Sequence, residues 1–167
     1  GKLGARGMEV SADNPMAPLL EIGLHLRLGD QQRALEAYSN NKARFDEYML
    51  ELPVELVAFV ADSYVVAGGE ENHTRAEDIL RRWMVKHSES DKFLPSEKAQ
   101  IQLLLAKNYD RASRFEVARS EYTTVVNRYP DTEEAIEARF GVGETLLAQK
   151  IFDQAEETFN ELASSPI

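Results

Sequence analysis

From Pro15 onward, apolar positions recur at three- and four-residue spacing almost without a break. This is the period of helices that each bury one stripe. No run alternates β-branched with polar residues between turn glycines, so no sheet is expected. Eight helices are predicted, at about 16–28, 31–50, 53–67, 74–88, 96–112, 115–128, 132–149 and 152–164.

Regular punctuation separates them. Gly29-Asp30 breaks the first pair, and Pro53 stands where a first helical turn tolerates proline. Gly68-Gly69 ends the next helix, and EENHT after it reads as a polar loop. Pro95-Ser96-Glu97 starts another helix, with Ser96 as the expected N-cap. Pro130-Asp131-Thr132-Glu133-Glu134 restarts the chain with caps and with carboxylates in the first turn, where the helix dipole favours them.

Taken in pairs, the helices repeat a residue pattern. In the first helix of each pair an apolar residue precedes a small one, with a large residue three positions further on. The instances are Ile22-Gly23 with Leu26, Val60-Ala61 with Tyr64, Leu105-Ala106 with Tyr109 and Val142-Gly143 with Leu146. In the second helix an alanine precedes a large residue by four: Ala34 and Tyr38, Ala76 and Leu80, Ala118 and Tyr122, Ala155 and Phe159. Two helices approach closely only where one lacks bulk, and the large residues then fill the space between hairpins.

This pattern resembles the tetratricopeptide repeat, in which a Leu-Gly pair, a Tyr, an Ala, a Phe and a closing Pro recur at about 34 residues. The match is best in 99–166, where Tyr129-Pro130 and Ser165-Pro166 follow the aromatics Tyr122 and Phe159, the prolines eight and seven residues on. The four alanines lie 42, 42 and 37 residues apart, so the first two units depart from the period. A long second helix after Ala34 and an insertion at Gly69–Thr74 account for the difference. The turn Tyr-Pro-Asp-Thr-Glu-Glu-Ala is similar to those of bacterial cell-envelope members, such as outer-membrane assembly lipoproteins and Tol–Pal coordinators.

The resemblance implies an all-α, right-handed superhelical solenoid of about four helical hairpins spanning 16–167. It also implies that the first helices line a concave groove. Carried onto this sequence, the groove positions are Leu20, Leu24 and Arg27, then Phe59, Asp62 and Val66, then Leu103, Lys107 and Arg111, then Phe140, Glu144 and Leu147. Chaperone-binding members grip a terminal carboxylate from that groove. The corresponding places here carry Leu24, Asp62, Lys107 and Glu144, so no such clamp is expected. The implied role is a scaffold or adaptor that takes an extended peptide or a helix of another protein, with apolar anchors and rim charges. The implied setting is a periplasmic or envelope-associated assembly.

Charge sharpens this picture. A formal net charge of −10 argues against phosphate neutralisation on nucleic acid and against anionic membrane surfaces. No apolar run is long enough to span a bilayer. The absence of cysteine removes thiolate chemistry and disulfides. His25, His73 and His87 share no helical metal spacing, and each is expected in a structural role. Trp83 falls with Ile79, Leu80 and Met84 and is expected in the core. No nucleophile elbow or phosphate-binding glycine loop occurs, and Asn72-His73-Thr74 is only formally a glycosylation acceptor. Neither a cofactor nor catalysis is expected. The alternative is an accessory segment of a larger enzyme acting on peptidoglycan or polysaccharide.

Residues 1–15 hold three glycines without periodicity and read as a flexible leader or expression remnant. The helical pattern runs almost to Ile167, so an excised piece of a longer protein is expected, with apolar surface on helices 115–128 and 152–164 available for self-association.

Overall fold

Most helices in this chain end at glycine, at proline, at paired asparagines, or at Ser113 and Lys150, which take a positive φ of 60° and 62°. The computed structural model describes residues 14–165. The expected leader therefore lies mostly outside the described residues. Nine α-helices and one 3-10 turn occur among them, and no strand. They are α1 (Ala17–Arg27), α2 (Gln31–Ser39), α3 (Lys42–Tyr48), the 3-10 turn Met49–Glu51, α4 (Val54–Ala67), α5 (Glu70–His87), α6 (Pro95–Arg111), α7 (Phe115–Arg128), α8 (Glu133–Ala148) and α9 (Phe152–Ser164). The fold is all-α, with neighbouring helices packed in tandem as a tetratricopeptide-like array.

Three element boundaries differ from expectation. The long helix expected over 31–50 is broken at Asn40-Asn41, where the Asn41 side-chain amide donates to the Ala37 carbonyl at 2.8 Å. Asparagine competes with the backbone in this way, and two in succession end the helix. The stretch EENHT is not a loop but the first turn of α5. Gly68 and Gly69, at φ 72° and 89°, make the whole reversal, and Glu70 and Glu71 then suit the helix dipole. The insertion expected there is thus an extra helical turn. Finally, Pro95 rather than Ser96 opens α6, and the Glu97 carboxylate accepts from the Leu94 N–H at 2.8 Å. The Thr132 cap of α8 is as expected, its hydroxyl accepting from the Ala135 N–H at 3.2 Å.

The chain divides into two compact units, one ending at Val60 and one starting at Ala61. In the first, α1 packs on α2, and Leu19, Ile22, Ala34, Phe45 and Met49 are fully buried. Tyr38 meets Phe45 edge-on at 5.2 Å, which folds α3 back on α2. In the second, α5 packs on α6, α6 on α7, α7 on α8 and α8 on α9. Trp83 is fully buried and stacks with His87 and Phe93 at 5.1 and 5.0 Å. His87 is therefore packed as an aromatic rather than left as an exposed cap at the helix end.

The repeat residues occupy the places their sizes require. Ala34, Ala76, Ala118 and Ala155 are all fully buried. A Cβ on Gly143 would lie 2.5 Å from the Phe159 ring, so this glycine is what lets α9 seat on α8. Gly141 does the same for Tyr122 of α7, at 2.6 Å. Gly23 has no such neighbour: its Cβ would meet only Leu56 at 3.8 Å, an ordinary contact.

The surface at the C-terminal helices is mixed: Phe152 at the start of α9 is exposed beside acidic positions. Helix α7 is covered by α8. The outer side of α9 presents Asp153, Glu156, Glu157 and Glu161, because the positions off its Ala155 stripe are acidic.

Candidate interaction surface

Some first-helix positions expected to receive a partner leave large apolar side chains in water, as do Leu35, Val85, Leu94 and Phe152 outside those helices. On α1, Leu20 and Leu24 are exposed four residues apart, and Leu28 continues the line just beyond the helix. Arg27, also exposed, pairs with Glu55 at 3.5 Å, a solvated contact of small energy. Phe59 on α4 is half-buried. These five positions belong to the first unit.

In the second unit, Asp62 and Val66 are exposed on the last turns of α4. On α8, Phe140, Glu144 and Leu147 form one exposed stripe, with Phe140 at 48% and Leu147 at 45% exposure. Spacings of four and three residues keep such a stripe on one side of a helix. Phe140 also meets Phe159 edge-on at 5.4 Å, so its ring is held from below while its other face is open.

Helix α6 contributes less than expected. Leu103 is buried, at 4% exposure, and is unavailable to a partner. Helix α6 packs against α5, α7 and α8, and this leaves little of its circumference outside. Lys107 is half-buried and its Nζ lies 2.5 Å from Glu137, which joins α6 to α8. Its charge is compensated within the protein. Arg111, one turn further, lines a cleft toward α5 together with Arg114. The α6–α8 side of the second unit thus carries Lys107, Phe140, Glu144 and Leu147.

A polar network behind this surface fixes the helices that present it. The Tyr109 hydroxyl donates to Glu77 at 2.6 Å and accepts from Arg81 at 2.5 Å. Arg81 also bonds Glu77 at 3.1 Å and reaches Glu121 at 3.7 Å, and Gln102 donates to Glu121. Burial alone would raise the Glu77 pKa, but the hydrogen bonds from Tyr109 and Arg81 outweigh it and hold the carboxyl below its ordinary range. Tyr122 donates to Asp110 at 2.9 Å, and burial, with the Asp110 charge, pushes its phenol strongly upward. None of this network was foreseen from the pattern. Its signal was the presence of Glu77, Arg81, Gln102 and Glu121 next to core positions, where polar residues need partners.

No group of three or more metal-ligating side chains occurs among the described residues, and no helix there is long and apolar enough to cross a membrane. His73, expected in a loop, is on α5 and is held by Asn108 of α6 at 2.7 Å. The His25 Nδ1 and Trp83 Nε1 atoms are buried without a hydrogen-bond partner among the described residues.

No curated protein matches the chain, and no solved structure matches it. Residues 100–132, which cover most of α6, all of α7 and the turn into α8, match the family model of the tetratricopeptide repeat.

Proposed function

We propose that the chain is a protein-interaction scaffold and that the α6–α8 side of its second unit receives a peptide or helix of another protein. Tetratricopeptide repeats generally mediate protein–protein contacts, and one such repeat supplies α6 and α7. The observation that carries the site is the exposed Phe140–Glu144–Leu147 stripe, held in place by the Lys107–Glu137 bridge and the Phe159 ring. An open aromatic and an open leucine flanking a carboxylate suit a partner with apolar anchors and a basic residue between them.

Affinity capture with three baits tests this reading. Wild type retains a specific protein, and Leu147→Asp loses it while melting as wild type does. Glu156→Gln, on the far face of α9, retains it. Equal recovery by all three baits contradicts the assignment.

The cell-envelope setting rests on the Tyr129–Ala135 turn alone. Fractionation of the source cells with an antibody to this chain tests it. Recovery in the cytoplasmic fraction removes that part of the proposal.

A further inference from the structure

Tyr122 springs from α7, but its ring ends between α6 and α8. It rests against Gly141, whose added Cβ would lie 2.6 Å away, and its hydroxyl donates to Oδ2 of Asp110 at 2.9 Å. The tyrosine is 4% exposed, so this bond fixes the Asp110 carboxylate from the protein side. Glu137 and Glu144 stand one helical turn to either side of Gly141, and Asp110 stands one turn from Lys107. Burial first, then the charge of Asp110, then the charges of Glu144 and Glu137 push the Tyr122 phenol upward. All three carboxylates therefore act on one point of the α6–α8 side.

The cations there do not balance them. Lys107 is taken by Glu137. Arg111 lines the cleft toward α5, where Glu70 and Glu77 also stand. Neither Asp110 nor Glu144 has an ion pair among the described residues. Asp110 is half-buried, and Glu144 is exposed between the open side chains of Phe140 and Leu147. Two carboxylates without a cation thus stand beside two apolar anchor points about 10 Å apart along α8.

We propose that the partner segment received on this side is basic: it places a lysine or arginine between Asp110 and Glu144 and sets a large apolar residue on each of Phe140 and Leu147. This rests on the groove assignment above and adds the partner's charge to it. Opposite charge at a partly desolvated site steers association and fixes register. An acidic segment would meet two carboxylates with no cation to spare, and a second copy of this chain would bring a net charge of −10 against them. The cation sits between the anchors, so the partner's two apolar residues lie about seven positions apart in a helical segment and about three in an extended one.

Selection of random peptides displayed on phage, with the whole chain as bait, tests the proposal. Wild type should enrich peptides that carry a lysine or arginine between two large apolar residues. Synthetic copies of these peptides should bind Glu144→Gln about three- to tenfold more weakly. Asp110→Asn, which keeps an acceptor for the Tyr122 hydroxyl, should weaken them in the same range. Glu156→Gln on α9 should leave their affinity unchanged. Added salt should weaken binding to wild type more than binding to Glu144→Gln. Glu144 is exposed, and an unchanged melting temperature shows that its variant is folded. Enrichment of neutral or acidic peptides that Leu147→Asp abolishes overturns the basic partner and leaves the groove standing. Enrichment indifferent to Leu147→Asp, or none from the folded wild type, overturns both.

Discussion

At the scale of single residues, three helical glycines that look alike in the sequence have different roles. Glycine inside a helix normally costs about 0.5–1 kcal/mol relative to alanine. Gly23→Ala should recover this, since its new methyl meets only Leu56 at 3.8 Å. Gly141→Ala should instead destabilise by about 1–3 kcal/mol. Its methyl would sit 2.6 Å from a Tyr122 ring that is buried and tethered to Asp110 and cannot move aside. Gly143→Ala should fall between the two, because Phe159 is half-buried and can turn. Denaturant midpoints for the three variants read the order directly, and a stabilising Gly141→Ala would contradict the packing described. Gly143 and Gly23 were both legible as the small residue of the repeat, yet only Gly143 is a close approach. Gly141 was missed, since one small residue per helix satisfies the pattern. Which glycine touches a neighbour depends on the stacking of the next helix, and local spacing does not encode that.

At the scale of elements, helix period and punctuation were legible for most of the chain, and the misses share a cause. Asn40-Asn41 and EENHT are polar stretches whose local preference is nearly balanced. The side-chain bond of Asn41 to Ala37 breaks one helix, and the Gly68-Gly69 reversal followed by Glu70 and Glu71 extends another. Gly69 combines φ 89° with ψ 153°, a conformation almost restricted to glycine. Gly69→Ala should therefore cost about 1–3 kcal/mol although no atom lies within 4 Å of the added methyl. Hydrogen exchange should show the loss first at the start of α5. A neutral effect would mean that α4 and α5 are joined differently. At the other hairpin junction, Thr132→Ala should remove the α8 cap at a cost of about 1 kcal/mol, read by thermal denaturation. The exposed stripe on α8 was legible by register from the repeat. Burial of Leu103 was not, because it follows from α6 lying against three helices at once.

At the scale of the whole molecule, the pH dependence of stability follows from the network on α5, α6 and α7. Glu77 has a folded pKa held below its ordinary 4.5, so its contribution is complete above that value and is lost as pH falls through the folded one. The tyrosines act in the opposite sense. Burial and the Asp110 charge raise Tyr122 well above its ordinary 10.0, so the unfolded chain ionises first, and stability is lost once pH rises past about 10. Unfolding midpoints against pH should fall on both sides, with Glu77→Gln flattening the acid limb and Tyr122→Phe the alkaline limb. An acid limb unchanged in Glu77→Gln would contradict the network. The central claim, however, is that the α6–α8 side of the second unit receives another protein. The most direct measurement is site-specific photocrosslinking in source-cell extract, with a photoreactive residue placed in turn at Leu147 and at Glu156. The account predicts a discrete protein adduct from position 147 and none from position 156. Adducts of equal yield from both positions, or none from 147 in a folded protein, would contradict it.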